Sequence, residues 1–376
     1  MKANLAPKYI QSAIDFKILW FEKSNQYTII DNGLFFCIET YIESDNPDEC
    51  IALYQATFDL TKADAKAIYL DITEFLNDRN TLITQTTGPI LKLNYNNRIY
   101  SKQYAIGKTS FNVHYQSEEL INFIHPQIHH LETTTENKPD FWFDIQVKDN
   151  VISLFTNNKF IRSCDSYNFH ELQGKFNMEL ICGLHHKKEH DWIGLFHAST
   201  VSNGKNSVML IGTSGSGKST LTTVLTQNGY DLIADDTTPI LRADFNTYYF
   251  PGGISVKPGA FSTLKPFISN FENLPESYLR AHKGGIKYVA TPIPHQKHVP
   301  CNTIVLINYQ TEAKVLLEKI DAKTALEILI PDSWISPQTE NAAAFLNWIS
   351  TVKFLKLTYS KNEDALEVFS TIFIGE

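Results

Sequence analysis

The chain has 376 residues, 43% of them hydrophobic and 20% charged, with a net charge of −8. That is the composition of a globular protein with enough apolar residues for a sizeable core and enough length for two domains. The acidic balance argues against broad binding to nucleic acid or to an anionic membrane surface, and no run of about 18 apolar residues marks a transmembrane helix.

In chain order, the N-terminal stretch "MKANLAPKYIQSAIDFKILWF" lacks the continuous apolar core of a signal peptide. The five cysteines (Cys37, Cys50, Cys164, Cys182, Cys301) are odd in number and contain no C-x-x-C. They read as reduced thiols, and a cytoplasmic protein is expected. Up to about residue 130, aromatic-rich, strand-like runs such as "YTIIDNGLFFCIETYI" alternate with a helical piece around "KADAKAIYLDITEFLND". The polar stretch "HLETTTENKPD" (130–140) reads as a loop or joint, and "FWFDIQV" with "VISLFT" as a hairpin turning at Lys148-Asp149-Asn150. Nothing in this half has catalytic spacing. From about residue 181 strands alternate with helices, and the chain closes with two helical segments, "TENAAAFLNWIS" and "NEDALEVFSTIF", around the strand-like "VKFLKLTY". The expected organisation is an α+β domain over 1–180 and an α/β nucleotide-binding domain over 181–376.

The second half contains "GTSGSGKST": Gly212, Thr213, Ser214, Gly215, Ser216, Gly217, Lys218, Ser219 and Thr220. It fits G-x-x-x-x-G-K-[ST]. Glycines let backbone N–H groups turn inward around a polyphosphate, the lysine reaches the β- and γ-phosphates, and the serine hydroxyl ligates Mg²⁺. The flanks suit the motif. Ser207–Ile211 is a short apolar run suited to a buried strand, and Leu221, Val224 and Leu225 follow at helical spacing up to Asn228-Gly229. ATP and Mg²⁺ are therefore the expected ligands.

Seventeen residues past Lys218, "GYDLIADD" ends an apolar strand in Asp235 and Asp236. One carboxylate there can steady the metal while the other accepts a proton. The early pair, the absence of an L-S-G-G-Q-like stretch and the absence of N-K-x-D separate this chain from ABC-type and RecA-type ATPases and from small GTPases. Lys257, Lys265, Arg280, Lys283 and Lys287 follow the site, and Lys287 is the first candidate among them for a cation at the γ-phosphate. "HHKKEH" (His185, His186, His190) has one i, i+4 histidine pair and no third ligand, and reads as a solvated linker.

His197, in "GLFHAST", precedes Gly212 by 15 residues. Together, His197, the glycine loop, the helix ending in Gly229 and the Asp pair resemble the HPr kinase/phosphorylase family, strongly over residues 197–236 and loosely over the rest of the second half. The resemblance implies an α/β P-loop kinase domain related to the phosphoenolpyruvate carboxykinase fold, which transfers phosphate from ATP to a serine-type hydroxyl. By that resemblance Lys218 contacts the β/γ-phosphates, Ser219 and Asp236 attend Mg²⁺, Asp235 is the favoured base, and His197 lies near the phosphates. One departure matters: the bifunctional enzymes carry a metal-binding glutamate after the Asp pair, whereas this chain has no carboxylate between Asp244 and Glu272. That directs the resemblance toward divergent kinases of the superfamily and away from phosphorylase activity on HPr. The expected partner is a hydroxyl-bearing protein, peptide or small molecule, with no nucleic acid and no membrane, and with room for a homo-oligomer. The rival is a non-catalytic ATP-binding regulatory module. Carboxykinase chemistry ranks third, for want of length and of a second metal-ligand set.

Overall fold

The computed structural model describes residues 2–82, 88–135, 138–277 and 285–375. It is mixed α/β, and the chain divides into two compact units, residues 1–85 with 335–351, and residues 86–334 with 352–376. The 180/181 joint expected from sequence falls inside a helix of the second unit. No helix among the described residues is long and apolar enough to cross a membrane. All five cysteines are free thiols.

In the first unit β1 (Tyr9–Ser12), β2 (Phe16–Phe21) and β3 (Gln26–Asp31) form an antiparallel meander, followed by α1 (Asn32–Glu43), α2 (Pro47–Phe58) and α3 (Lys62–Arg79). The run 27–42, read as strand-like, is strand only as far as Asp31. There the Asp31 carboxylate accepts the Leu34 N–H at 2.7 Å and starts a helix. Asn46 and Thr61 cap α2 and α3 in the same way, and Pro47 sits in the first turn of α2, where its missing N–H costs nothing. Leu19, Phe21, Ile38, Tyr54, Ile72 and Leu76 meet in the core. The helix Thr339–Thr351 belongs to this unit although it lies far along the chain. Its Phe345 ring stands edge-on to Tyr27 with centroids 4.9 Å apart, and Thr339 Oγ1 donates to Glu22 at 2.8 Å.

The second unit opens with β4 (Tyr100–Ile106), β5 (Thr109–Tyr115), α4 (Glu118–Ile128), β6 (Glu132–Thr133), β7 (Phe141–Lys148), β8 (Val151–Thr156) and β9 (Lys159–Asp165), giving a sheet of order β6-β4-β5-β7-β8-β9. The β7–β8 hairpin turns at Asp149 and Asn150 with φ of 50° and 65°, the left-handed pair that a two-residue hairpin needs and that Asp and Asn accept. Helix α5 (Phe169–His185) packs on this sheet. Its Phe176, Ile181 and Leu184 share one apolar cluster with Phe143 of β7 and Trp192 of the next sheet, so the core runs through residue 180 without a break.

A second, mixed sheet carries the motifs. β10 (Trp192–Phe196), β11 (Ser199–Ser202), β12 (Ser207–Ile211), α6 (Lys218–Gln227), β13 (Asp231–Ala234), β14 (Thr238–Leu241), β15 (Asn246–Tyr248), β16 (Ile254–Val256), β17 (Glu276–Ser277), β18 (Ile286–Val289), β19 (His298–Tyr309) and β20 (Leu316–Lys319) follow in the chain. β16, β18 and β17 pair as a small sheet of their own. In the large sheet the order runs β13-β11-β12-β19, and β15, β14 and β10 continue from the first half of β19. The strand Lys353–Tyr359 lies parallel to β19 on its far side, with β20 antiparallel beside it. All five residues of β12 are buried, as its unbroken apolar run requires. Leu221 and Leu225 of α6 pack with Phe369 of the helix Asn362–Ile374 over this strand.

Candidate functional site

Strand directions bring the motifs together. β11 is antiparallel to both β12 and β13, with Ser199 opposite Leu210 and Thr200 opposite Ala234. The start of β11, the end of β12 and the end of β13 therefore share one sheet edge. His197 precedes the first of these, the glycine loop follows the second and Asp235-Asp236 follow the third. β13 is not a direct neighbour of the loop strand, because β11 lies between them.

The loop needs its glycines for stated reasons. Gly215 and Gly217 have φ of 91° and 94°, where a side chain is strained. A Cβ on Gly217 would stand 3.1 Å from both Tyr309 Cβ and Tyr359 Oη, and one on Gly212 would lie 2.4 Å from Ser216 Oγ. Gly217 begins α6, so Lys218, Ser219 and Thr220 occupy a first helical turn whose N–H groups have no intrahelical acceptor. The positive end of the helix and these donors suit an anion. Ser216 Oγ is buried with no hydrogen-bond partner among the described residues, an unmet polar atom within the cradle. Thr213, Ser214 and Gly215 are exposed at the loop's tip, and Lys257 Nζ donates to Ser214 Oγ at 2.9 Å. Backbone cradle, cation, hydroxyls and helix start together fit a polyphosphate with its divalent cation.

The two carboxylates are unlike. Asp235 is 1% exposed; it accepts the Ser199 hydroxyl on one oxygen and the Ser255 N–H, at 2.8 Å, on the other. Burial, and then the charge of Asp236, push its carboxyl up to about 7. Asp236 is turned outward by a φ of 57°, a left-handed backbone that Asp tolerates better than most residues. Its side chain is 34% exposed, its Oδ1 lies 3.5 Å from Lys218 Nζ and 3.9 Å from His197 Nε2, and its Oδ2 accepts the Ser255 hydroxyl. Burial would raise Asp236, but Lys218, His197 and the Ser255 hydroxyl outweigh it and hold the carboxyl below its ordinary value. His197, on the loop before β11, has its imidazole pushed below its ordinary value by desolvation and by the charge of Lys218, with Asp236 pulling the other way. The site thus has one partly exposed, ionised carboxylate beside Lys218 and a second, buried carboxyl that retains its proton to higher pH.

This division sets a pH dependence. Folded Asp235 keeps its proton up to about pH 7, while the unfolded chain releases it near the ordinary 3.8. Between those values the folded state binds the extra proton, so this group's contribution to stability falls as pH rises. Asp236, shifted the other way, contributes stability that is present above its ordinary 3.8 and is lost below it, in a separate window. In Asp235→Asn the first contribution vanishes. Thermal melts at pH 5 and pH 7.5 should show the variant gaining on the parent chain at the higher pH, and an unchanged difference would mean that Asp235 does not titrate there.

Lys287, the first candidate cation in the sequence, does not face the loop. Val256 pairs with Lys287 and Ser255 with Tyr288, so Lys287 emerges on the face opposite the one that holds the carboxylates. Its ammonium donates to Phe271 O (3.0 Å) and Glu272 O (2.9 Å), and it lies 3.5 Å from Glu276 and over the Phe261 and Phe271 rings. Lys265 pairs with Glu272 at 2.5 Å. Arg280 and Lys283 lie outside the described residues. Lys257 is the basic residue that touches the loop. "HHKKEH" is not a linker throughout: His185 ends α5, is half-buried and bonds Tyr249 O at 2.8 Å, while His186 caps the helix in a left-handed conformation. Among the described residues no cluster of three or more metal-ligating side chains forms. Ser199, Ser255 and Tyr309 had no sequence signal, since each comes from a separate segment. No family model matches the chain, and no curated protein matches it either.

Proposed function

We propose that the chain is an Mg·ATP-dependent kinase of the HPr kinase-like type that phosphorylates a hydroxyl, serine-type by the resemblance, on a protein, peptide or small molecule. The observation that carries the reading is the meeting of Lys218, outward-facing Asp236 and His197 beside a glycine loop. The loop N–H groups, Lys218 and Ser219, with Asp236 on the metal side, are the groups that would hold Mg·ATP. When bound, that ligand supplies the phosphoryl group and a divalent charge to offset its oxygens.

The protein's part is positioning and proton management. Lys218 is 8% exposed, so its ammonium is fixed rather than swinging in solvent, and it meets negative charge with little reorganisation. Asp236 is ionised, partly exposed and held by the Ser255 hydroxyl, which makes it the carboxylate able to accept the hydroxyl proton or face the metal. Asp235, with both oxygens engaged, acts as a positioning residue: it fixes the Ser199–Ser255 frame on which Asp236 sits. This departs from the role that the resemblance alone would give Asp235.

The second reading, an ATP-binding module that transfers nothing, draws support from the stretch after the Asp pair, where β16 presents Ser255 and no glutamate. The discriminating experiment incubates the chain with γ-labelled ATP, Mg²⁺ and a degenerate serine-containing peptide library, with an alanine-substituted library as control. Label on the serine library establishes the kinase. Tight ATP binding with neither labelled peptide nor Asp236-dependent phosphate release establishes the module, and failure to bind ATP overturns both.

A further inference from the structure

The large sheet has two arms at the loop edge, and only one has been assigned a task. On one side of β12 lie β11 and β13 with the carboxylates; on the other lie β19 and the strand Lys353–Tyr359, both parallel to β12, so their carboxyl ends open on the same edge as the loop. Ligands of α/β sheets lodge outside carboxyl ends of this kind. If Asp236 marks the metal-bearing end of a polyphosphate, the other end of that ligand leaves the loop toward β19.

Tyr309 stands there. It is the last residue of β19, its N–H donates to Ser216 O of the loop at 3.1 Å, and its Cβ lies 3.1 Å from the position that a Gly217 Cβ would fill. The backbone beneath the ring is thus tied to the phosphate loop itself. Its ring meets Tyr359 edge-on, with centroids 5.6 Å apart and planes at 75°, and Tyr359 is wholly buried. The Tyr309 side chain nonetheless remains 47% exposed. A single exposed aromatic is ordinary on a protein surface. A ring braced by a buried aromatic and anchored to a phosphate cradle, on the side away from the metal-facing carboxylate, is placed to receive a flat partner.

We propose that the carboxyl ends of β19 and of the strand Lys353–Tyr359 form a nucleobase subsite, in which the base stacks on Tyr309. The inference rests on the nucleotide reading above and deepens it, from a polyphosphate site to a nucleoside triphosphate site with a defined direction. Stacking on an aromatic face is tolerant of base identity, because every base has a π-face, so Tyr309 supplies affinity for a nucleoside more than choice among nucleosides.

The test compares calorimetric binding of Mg·ATP and of Mg·tripolyphosphate, which has the phosphates and no nucleoside, to the parent chain and to Tyr309→Ala, Tyr309→Leu and Tyr309→Phe. The parent chain should bind ATP more tightly than tripolyphosphate. Tyr309→Ala should lose about 5–100-fold in ATP affinity while tripolyphosphate binding stays within about twofold. Tyr309→Leu keeps apolar bulk against Tyr359 and should show the same selective loss, whereas Tyr309→Phe should restore ATP binding. Equal loss of both ligands would reduce Tyr309 to a brace for the loop, and unchanged ATP affinity in the alanine and leucine variants would put the base elsewhere; either result overturns the proposal. A parent chain that binds tripolyphosphate and ATP equally has no base subsite. One that binds neither fails at the nucleotide reading itself, which separates that failure from this one.

Discussion

Asp236→Asn should lower phosphate transfer about 10²–10⁴-fold while leaving the fold intact. Asparagine accepts the left-handed backbone that this position requires and can still receive the Ser255 hydroxyl, so the substitution removes charge and proton affinity and little else. Affinity for Mg·ATP should fall less than turnover. The contrast with Asp235→Asn is the informative part. At neutral pH Asp235 stands near its own titration point, buried and hydrogen-bonded on both oxygens, so a neutral amide there should cost far less activity. Transfer assays on both variants, with melting temperatures as a control for folding, give the answer. If Asp235→Asn is the more damaging, the base is Asp235, as the family resemblance implies, and the roles argued from exposure are reversed.

Lys218→Ala should weaken Mg·ATP binding about 10–100-fold, the usual range for losing a hydrogen-bonded charged contact. The ammonium lies where loop, carboxylate and histidine converge, with its stem enclosed, and no other lysine described near the loop can replace it: Lys257 is exposed and reaches only Ser214 at the tip. Titration calorimetry with Mg·ATP reads the change directly. Unchanged affinity would show that the glycine loop is not the phosphate site, whatever its sequence.

What could be read in the sequence was local. A phosphate cradle needs glycine at fixed short offsets, and Asp235-Asp236 close a strand only 17 residues after Lys218, so both stand out without knowledge of the fold. The Asp149-Asn150 turn was legible for the same reason. The rest depended on pairing between distant segments. Ser255 reaches both carboxylates only because the strand that carries it passes beside the end of β13, and the alternation of β18 turns Lys287, one candidate cation in the sequence, toward Phe271. Residues 32–42 were misread because aromatic and β-branched residues favour strands in general, while the deciding signal was one capping carboxylate, Asp31, followed by apolar residues at helical spacing.

The first unit draws its last helix from residues 339–351, about 300 positions after the strands it covers. During synthesis, at about 5–20 residues per second, the nascent meander waits about 15–60 s for the helix that faces Tyr27 and Glu22. Throughout that interval the apolar side of an incomplete module is open to solvent and to neighbouring chains. Vectorial folding is therefore closed to this unit: the segment that leaves the ribosome first is among the last to become native. A ribosome that stalls before residue 339 releases a fragment whose N-terminal part lacks this helix, a natural substrate for chaperones and proteases.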